Sequence, residues 1–249
     1  MVILKLPDEI EKARASNRIV AEVLSILREK VKPGVTTREL NKLAEEVTEK
    51  RGAKPAFKGY RGFPYSLCTS VNDQVVHGMP SERVLVEGDI IGIDFGVYHH
   101  GYFGDAAITL PVGKVDKKAL MLMQVTEQSL YAGIEQIKAG NRLGDISAAV
   151  QGKVEIAGFS VVRDYVGHGV GKNLHEDPQI PNYGKKGRGV LLKTGMILAI
   201  EPMVNQGDYK VRVLPDGWTV VTVDGSLSAH FEHSVAITDK GPDILSKLN

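Results

Sequence analysis

Two aspartates in an apolar stretch of the sequence are the first candidates for chemistry. The segment 88–106, GDIIGIDFGVYHHGYFGDA, predicts two strands around a tight turn, and the strands carry Asp94 and Asp105. Like charges on neighbouring strands destabilise a sheet. A shared proton or a bound cation would relieve the repulsion. Two polar residues at a solvated sheet edge are the plain alternative, and the hairpin sequence alone leaves these interpretations open.

The register of this hairpin sets how closely the two carboxylates approach. A two-residue loop at 99–100 places Asp94 directly opposite Asp105, with Cβ atoms about 4.5–5.5 Å apart. A three-residue loop with Gly101 as a bulge shifts the pairing by one residue. Both registers predict that the two carboxylates lie close together.

Further acids and histidines occur in strand-like segments of the C-terminal half. Glu201 follows an apolar run, Glu232 lies in another, and His168 and His175 belong to the glycine-rich stretch GHGVGKNLHEDP. Taken singly, each residue is typical of a solvated strand end or a core imidazole. Together with the hairpin they make four carboxylates beside hydrophobic strands, and unpaired buried charge is very costly. We therefore expect a pair of divalent metal ions, and oxygen-rich sites with one imidazole suit Mn, Fe, Co or Zn.

Helices precede and interrupt the strands that must position these side chains. After residue 158 the pattern is dominated by apolar runs typical of strands. The predicted helices are one from Pro7 to the KPG at 32–34, one from a Thr36–Glu39 capping box to Gly52, one over 116–138 and one over 143–157.

A short internal sequence similarity, here called the echoed segments, links the two halves of the chain. The segments VEGDIIGID and KTGMILAIE share a Gly-x-Ile-x-x-Ile pattern and end in Asp94 and Glu201, 107 residues apart. This spacing is too long for a solenoid and fits a duplication of half-domains. Chance similarity between two buried strands is the alternative.

Composition bounds the function classes. The 249 residues are 43% hydrophobic, which is enough for a core, and 31 basic residues against 30 acidic ones give a net charge of +1. That balance offers no electrostatic argument for nucleic acid or an anionic membrane. Cys68 is the one cysteine, and no run approaches the roughly 20 apolar residues that span a bilayer. We expect a cytoplasmic protein with a single domain over 1–249.

The chain resembles the type I methionine aminopeptidases in their short bacterial form, over nearly its whole length. Five motifs carry the resemblance in the family's order: SVNDQVVHGMP, GDIIGIDFGVYHHGYFGDAA, YVGHGVGKNLHEDPQIPNYG, GMILAIEPM and DGWTVVTVDGSLSAHFEHSVAIT. The resemblance implies an α+β pita-bread fold, in which two pseudo-symmetric half-domains share a central antiparallel sheet covered by helices. It also implies removal of N-terminal methionine by hydrolysis that depends on two divalent metal ions (Co, Mn, Fe or Zn), with a preference for a small second residue.

Site residues follow from the same resemblance, position by position. It implies catalytic roles for His77, His175 and Glu201, with Glu201 as general base. Asp105 and Glu232 would bridge the two metals, whose full ligand set would be Asp94, Asp105, His168, Glu201 and Glu232. The substrate-binding residues would be His77, His175, Tyr60, Phe63, Cys68, Trp218 and Phe57.

Two residues depart from the family pattern, and two histidines flank one of its ligands. Phe57 occurs where bacterial relatives often have cysteine, and Leu174 occurs where an aromatic residue is common, so the shape of the methionine pocket is open. His230 and His233 flank Glu232 and are expected to face away from it. The implied partners are the N-termini of nascent polypeptides and, transiently, the ribosome, with the protein itself a monomer.

Two other functions fit parts of the pattern. A proline-directed aminopeptidase or a prolidase of the same fold usually carries a large additional N-terminal domain, for which we expect no room in this chain. A metal-free binding protein on this fold usually lacks ligands, whereas all five matching residues are present. Cleavage of Met-Ala-Ser against Ala-Pro-Ala peptides, together with metal content, separates the three.

Overall fold

The fold is a mixed arrangement of four helices and fifteen short strands, seen in a computed structural model that describes residues 2–138 and 140–247. The helices are α1 (Pro7–Lys30), α2 (Thr37–Lys50), α3 (Lys117–Ile134) and α4 (Leu143–Ile156), with a short 3-10 helix at Tyr60–Gly62. The strands are β1 (Lys54–Pro55), β2 (Cys68–Val71), β3 (Gln74–Val76), β4 (Ile90–His99), β5 (Tyr102–Pro111), β6 (Ser160–Val161), β7 (Gly167–Gly169), β8 (Glu176–Ile180), β9 (Ile197–Ile200), β10 (Met203–Asn205), β11 (Val211–Val213), β12 (Val220–Thr222), β13 (Ser228–His230), β14 (Glu232–Thr238) and β15 (Gly241–Ile244).

The helix starts follow the capping signals of the sequence. Thr36 accepts a hydrogen bond from the Glu39 backbone N–H while the Glu39 side chain accepts one from the Thr36 N–H, which is the predicted capping box of α2. The third helix begins as expected after Asp116 but ends at Ile134 rather than at 138. Its last residues turn through tighter bonds, such as Ile137 N–H to the Ile134 carbonyl, and leave the helical path.

The central sheet has a pseudo-symmetric centre. Its strands run in the order β1-β4-β5-β14-β9-β7-β8, with β2 beside β4 and β15 beside β14. Two hydrogen-bonded pairs, β4 with β5 and β9 with β14, therefore meet at the β5–β14 contact. The echoed segments of the sequence fall on β4 and β9, which lie at equivalent positions on either side of this centre.

Two hydrophobic cores lie under the helices, one for each half. In the N-terminal half, alternate residues of β4 such as Ile91, Ile93 and Phe95 pack against α1 and α2. In the C-terminal half, Leu198 and Val235 pack with α3 and α4. The predicted α+β pita-bread class is confirmed, and the alternation leaves the other face of the sheet free for polar side chains. In the described residues, no helix is both long and apolar enough to cross a membrane.

The hairpin register differs from both predicted registers. His99 pairs with Tyr102, so the loop is His100–Gly101, and both loop residues have positive φ (49° and 85°). Glycine accepts this conformation without cost, which favours the turn one residue further along the chain. Asp94 consequently lies opposite Ala107 and Asp105 opposite Gly96. The two aspartates are diagonal neighbours on one face of the sheet rather than direct partners.

Candidate metal centre

Four carboxylates come from four adjacent strands of the central sheet, and they converge on the face away from the helices. Asp94 lies on β4, Asp105 on β5 and Glu232 on β14, while Glu201 directly follows β9. Adjacent strands are about 4.7–4.9 Å apart, so carboxylates at this level of the sheet form a contiguous row. The inner members are Asp105 and Glu232, on the two strands that meet at the centre.

An imidazole completes the row from the neighbouring strand β7. His168 Nε2 is 3.5 Å from Glu201 Oε1 and 3.9 Å from Asp105 Oδ2. His168 Nδ1 is 2.9 Å from the Gly169 carbonyl oxygen, which can only accept, so Nδ1 carries the hydrogen. Nε2 of His168 is therefore the ring nitrogen directed at the carboxylates, as a metal-binding imidazole requires.

Burial makes the row electrostatically unfavourable. Burial raises the pKa of Asp94 to about 7, against the opposing effect of His230 and with a smaller contribution from Glu201. Burial likewise raises the pKa of Glu201 to about 7, opposed by His168. The pKa values of Asp105 and Glu232 lie well above their ordinary values, first through burial and then through the neighbouring carboxylates. The fold therefore holds acids together under conditions that disfavour their charges.

The donor set fits divalent metal ions. Among the described residues, Asp94 Oδ1, Asp105 Oδ1 and Glu232 Oε1 are fully buried and have no hydrogen-bond partner. Buried polar atoms are nearly always paired, so three unpaired acceptors in one place fit the binding of a cation. Ligand atoms of Asp105, His168 and Glu232 lie within 4.8 Å of one another. Carboxylate oxygens with one imidazole are a donor set that Mn, Fe, Co and Zn accept.

An aromatic cavity of about 140 Å³ opens directly onto the carboxylates. Its walls hold every predicted pocket residue, namely Phe57, Tyr60, Phe63, Cys68 and Trp218, together with His77, His175 and Leu174. Phe63 packs edge-on against Trp218 with ring centroids 5.1 Å apart. Cys68 lies opposite Asp94 on β2, and its thiol pKa is raised well above the ordinary value, first by burial and then by Asp94. It is a small buried hydrophobe rather than a reactive thiolate.

Two histidines of the predicted site border this cavity. The His175 ring lies 4.2 Å from the His168 ring, and its Nδ1 is 2.9 Å from the Tyr60 hydroxyl. Burial is the main cause that lowers the pKa of His175 to about 3, followed by His168. Burial, followed by His230, lowers the pKa of His77 to about 4. Both imidazoles are therefore neutral near pH 7.

The backbone around His77 is unusual for a non-glycine residue. His77 has a φ of 58°, in the left-handed region. The next residue, Gly78, lies so close to β2 that an added Cβ would be 2.2 Å from the Thr69 carbonyl oxygen. The Thr69 N–H donates to the Gly78 carbonyl at 2.7 Å, which holds this approach. Such strain persists where the surrounding structure fixes it, and here it directs His77 into the cavity.

Two residues at the site were not predicted. Arg61 lines the cavity with its guanidinium 5.4 Å from the Tyr60 ring centre. His230 lies 3.6 Å through Nε2 from Glu201 Oε2, so the expectation that it faces away from Glu232 was wrong. Residues two apart on a strand share a face, and His230 is two residues from Glu232. His233, one residue away, does face the other side, where it contacts Tyr131 and Ser246.

A second, larger cavity of about 240 Å³ lies between α1 and α3. The buried imidazole on its wall is already paired: His233 Nδ1 is 2.9 Å from Ser246 Oγ, and its Nε2 is 3.3 Å from the Tyr131 hydroxyl. Of the four carboxylates in the row, Glu232 alone borders this cavity, so it does not bring several unpaired acceptors together.

Comparisons with known proteins agree with this geometry. Residues 11–239 match the sequence model of metallopeptidase family M24. The methionine aminopeptidase of Clostridium perfringens is 54% identical over 248 residues, and methionine aminopeptidase 1 of Bacillus subtilis is also 54% identical over 248 residues; both alignments cover 100% of each chain. The crystal structure of methionine aminopeptidase from Thermotoga maritima superposes with a TM-score of 0.98 at 51% identity, again over 100% of both chains.

Proposed function

Because the chain belongs to metallopeptidase family M24, and within it to the methionine aminopeptidases, we propose that its carboxylate row binds two divalent metal ions for the hydrolysis of the first peptide bond after an N-terminal methionine. The observation that carries this proposal is the group of three buried carboxylate oxygens without hydrogen-bond partners at the floor of an aromatic cavity. Hydrolysis of a peptide bond beside an apolar side chain needs both the metal-binding carboxylates and an apolar cavity.

The strand order supports a division of the ligands between two metals. Asp105 and Glu232 lie on the two central strands and would be shared by both ions. Asp94 would complete the site on one side, and His168 with Glu201 would complete the site on the other. The identity of the metal is set by cavity details and supply as much as by ligand type, so Co, Mn, Fe and Zn all suit these donors.

Glu201 is the proposed general base. When bound, divalent ions acidify water and polarise a carbonyl oxygen. Glu201 would accept the proton of an attacking water and return it to the leaving amine, with its basicity limited by the bound metal. Glu201 Oε1 faces His168 while Oε2 faces His230, so its two oxygens have different surroundings in which to serve as ligand and base.

His175 and His77 would act on the substrate as neutral hydrogen-bonding groups. If the Tyr60 hydroxyl donates to His175 Nδ1, the hydrogen of the neutral ring lies on Nε2, which can donate to the oxygen of the scissile carbonyl as its charge develops. His77 would bind the substrate backbone from the opposite wall, where Trp218 and Tyr165 hold its ring edge-on at 6.4 and 5.6 Å. Removing such a donor costs about 10²–10³-fold in kcat.

The aromatic cavity would hold the methionine side chain. Phe63, Trp218 and Cys68 provide an apolar lining, and thioether sulfur makes favourable contacts with aromatic edges. Phe57 and Leu174 complete the wall, so the departures from the family pattern belong to the pocket itself. Crowding beyond the cavity would restrict the second residue of the substrate to small side chains.

The proposed substrates are the N-termini of nascent polypeptides and peptides in the cytoplasm. Transient contact with the ribosome and a monomeric state are part of the same proposal. One catalytic domain over 1–249 suffices for it, because ligands from both half-domains are needed to make one site.

Hydrolysis of Met-Ala-Ser against Ala-Pro-Ala peptides tests the proposal. Metal-loaded protein should cleave the first and not the second, and chelated protein should cleave neither. Asp94→Ala should lose metal and activity together, whereas His175→Ala should keep its metal and lose about 10²-fold or more in kcat. Cleavage of Ala-Pro-Ala alone, or full activity in Asp94→Ala, would refute the proposal.

A further inference from the structure

His230 is a buried histidine held rigidly beside the carboxylate row. It is 3% exposed and ends β13, where it pairs with Met203. The Thr109 hydroxyl donates to the His230 carbonyl at 2.8 Å and accepts from the His230 N–H at 2.9 Å. Thr109 lies on β5, the strand that carries Asp105. The backbone of His230 is therefore fixed to the same strand as one of the candidate ligands.

The imidazole of His230 has an unpaired nitrogen directed at Glu201. Among the described residues, His230 Nε2 is fully buried without a hydrogen-bond partner, and Glu201 Oε2 lies 3.6 Å from it. The other oxygen, Oε1, lies 3.5 Å from His168 Nε2. A carboxylate oxygen only accepts, so a nitrogen that interacts favourably with Oε2 must carry a hydrogen.

The two imidazoles beside Glu201 thus differ in character. His168 Nδ1 faces the Gly169 carbonyl oxygen, which leaves the lone pair on Nε2 for a metal. His230 Nε2 faces the second oxygen of the carboxylate at 3.6 Å. One oxygen of Glu201 is directed to the metal-binding side and the other to His230.

We propose that His230 is a positioning residue that donates a hydrogen bond from Nε2 to Glu201 Oε2 and so fixes the carboxylate in the orientation needed for the reaction. The proposal rests on the proposed function, in which Glu201 is the general base. The 3.6 Å separation is longer than a hydrogen bond, and such contacts commonly tighten when the reacting complex forms. Outer partners of this kind typically change activity or metal affinity by about 10–100-fold when they are lost.

Substitutions that separate hydrogen bonding from packing test this role. His230→Met fills similar space without a donor, and His230→Gln places an amide N–H at a similar reach. We expect His230→Met to lower kcat on Met-Ala-Ser by about 10-fold or more, with KM changed less than about threefold and metal content unchanged. His230→Gln should return kcat to within about threefold of the unsubstituted protein. His233→Gln is the matched control and should keep kcat, since its imidazole faces away from Glu232.

A second readout does not depend on activity. In the Co²⁺-loaded protein, the visible absorption bands report ligand geometry, so they should shift in His230→Met and be restored in His230→Gln. This comparison still tests the role of His230 if the unsubstituted protein fails to cleave Met-Ala-Ser. Such a failure would refute the proposed function separately.

Four results would overturn the inference. They are a normal kcat in His230→Met, an equal loss in the Met and Gln variants, unchanged absorption bands in His230→Met, and loss of metal from His230→Met, which would make His230 a ligand. If His230→Met does not fold, His230→Asn replaces it, because its amide is one methylene shorter. Equal kcat in the Asn and Gln variants would then exclude the positioning role.

Discussion

Replacing Asp94 by asparagine should stabilise the metal-free protein and remove most of its stabilisation by metal. Asp94 Oδ1 is buried without a hydrogen-bond partner, and this burial, with a smaller contribution from Glu201, disfavours the carboxylate charge. Asparagine has nearly the same shape and no charge. The substitution therefore removes a poorly solvated charge from the chelated protein, together with its smaller repulsion from Glu201, but deletes a candidate metal ligand.

The magnitude follows from the pKa of Asp94, which burial raises from 3.8 to about 7. One pKa unit corresponds to about 1.4 kcal/mol, so the ionised carboxylate costs the fold on the order of 4 kcal/mol. Because Asp94 titrates together with the neighbouring carboxylates, only part of this cost falls on one residue; we expect about half of it in the measured stability, or roughly 4–8 °C in Tm for a chain of this size. A raised acid pKa disfavours the folded state only above the unfolded pKa. The gain should be absent near pH 4, grow towards pH 7 and stay constant above it.

Thermal unfolding with chelator and with Mn²⁺ measures both effects. A ligand at 1,000 times its Kd stabilises a fold by about 4 kcal/mol, so the metal-loaded unsubstituted protein should exceed Asp94→Asn, reversing the metal-free order. Asp224→Asn is the control: hydrogen bonds from Ser226 and Asp208 lower the pKa of Asp224, so this variant should lose stability in both conditions. The electrostatic reasoning would be refuted if metal-free Asp94→Asn were less stable than the unsubstituted protein. It would also be refuted if the two metal-free proteins were equally stable throughout pH 5 to 8.

Two further substitutions test how the fold supports the site. Gly96→Ala should lower Tm and metal affinity, because the added Cβ would lie 2.7 Å from the Phe57 ring. Gly92→Ala is the control and should be tolerated, because the nearest atom to its added Cβ is 3.6 Å away. Thermal unfolding and Mn²⁺ titration compare the two variants. Lys5→Met should lower the free energy of unfolding by about 3–5 kcal/mol, because it leaves Glu176 buried without its ion-pair partner at 2.5 Å. In urea unfolding, the double variant Lys5→Met/Glu176→Gln should recover part of that loss. A double variant as unstable as Lys5→Met would contradict this.

Sequence patterns predicted the helices well because their signals are local. The Thr36–Glu39 capping box and the Asp116 cap act within one turn of the chain, so each helix start can be inferred from a few residues. The end of α3 at Ile134 was harder to predict, since Gly133 lies inside the helix and no proline or glycine directly follows Ile134. The convergence of the carboxylates was predicted from their cost: acids in apolar strands need a common partner, wherever the chain brings them together.

The strand register was harder to predict because it depends on a choice between nearly equivalent turns. Loops at 99–100 and at 100–101 differ by one residue, yet they move the partner of Asp94 from Asp105 to Ala107. The positive φ values of His100 and Gly101 decide between them, and glycine at the second position is the favoured choice. The position of His230 at the site could have been predicted, since residues two apart on a strand share a face and His230 is two residues from Glu232.

The two half-domains contribute equivalent acids but different surroundings. Asp94 and Glu201 occupy equivalent positions of the echoed segments and both lie near His230, yet Asp94 pairs with Cys68 beside the aromatic wall, whereas Glu201 also lies beside His168. A duplication of half-domains would account for the shared charges, whereas the surroundings of the two acids differ between the halves. The second imidazole beside Glu201 and the apolar wall beside Asp94 give a site with one side suited to proton transfer and one suited to an apolar side chain. Neither half alone has both, and a peptide bond next to methionine requires both at once.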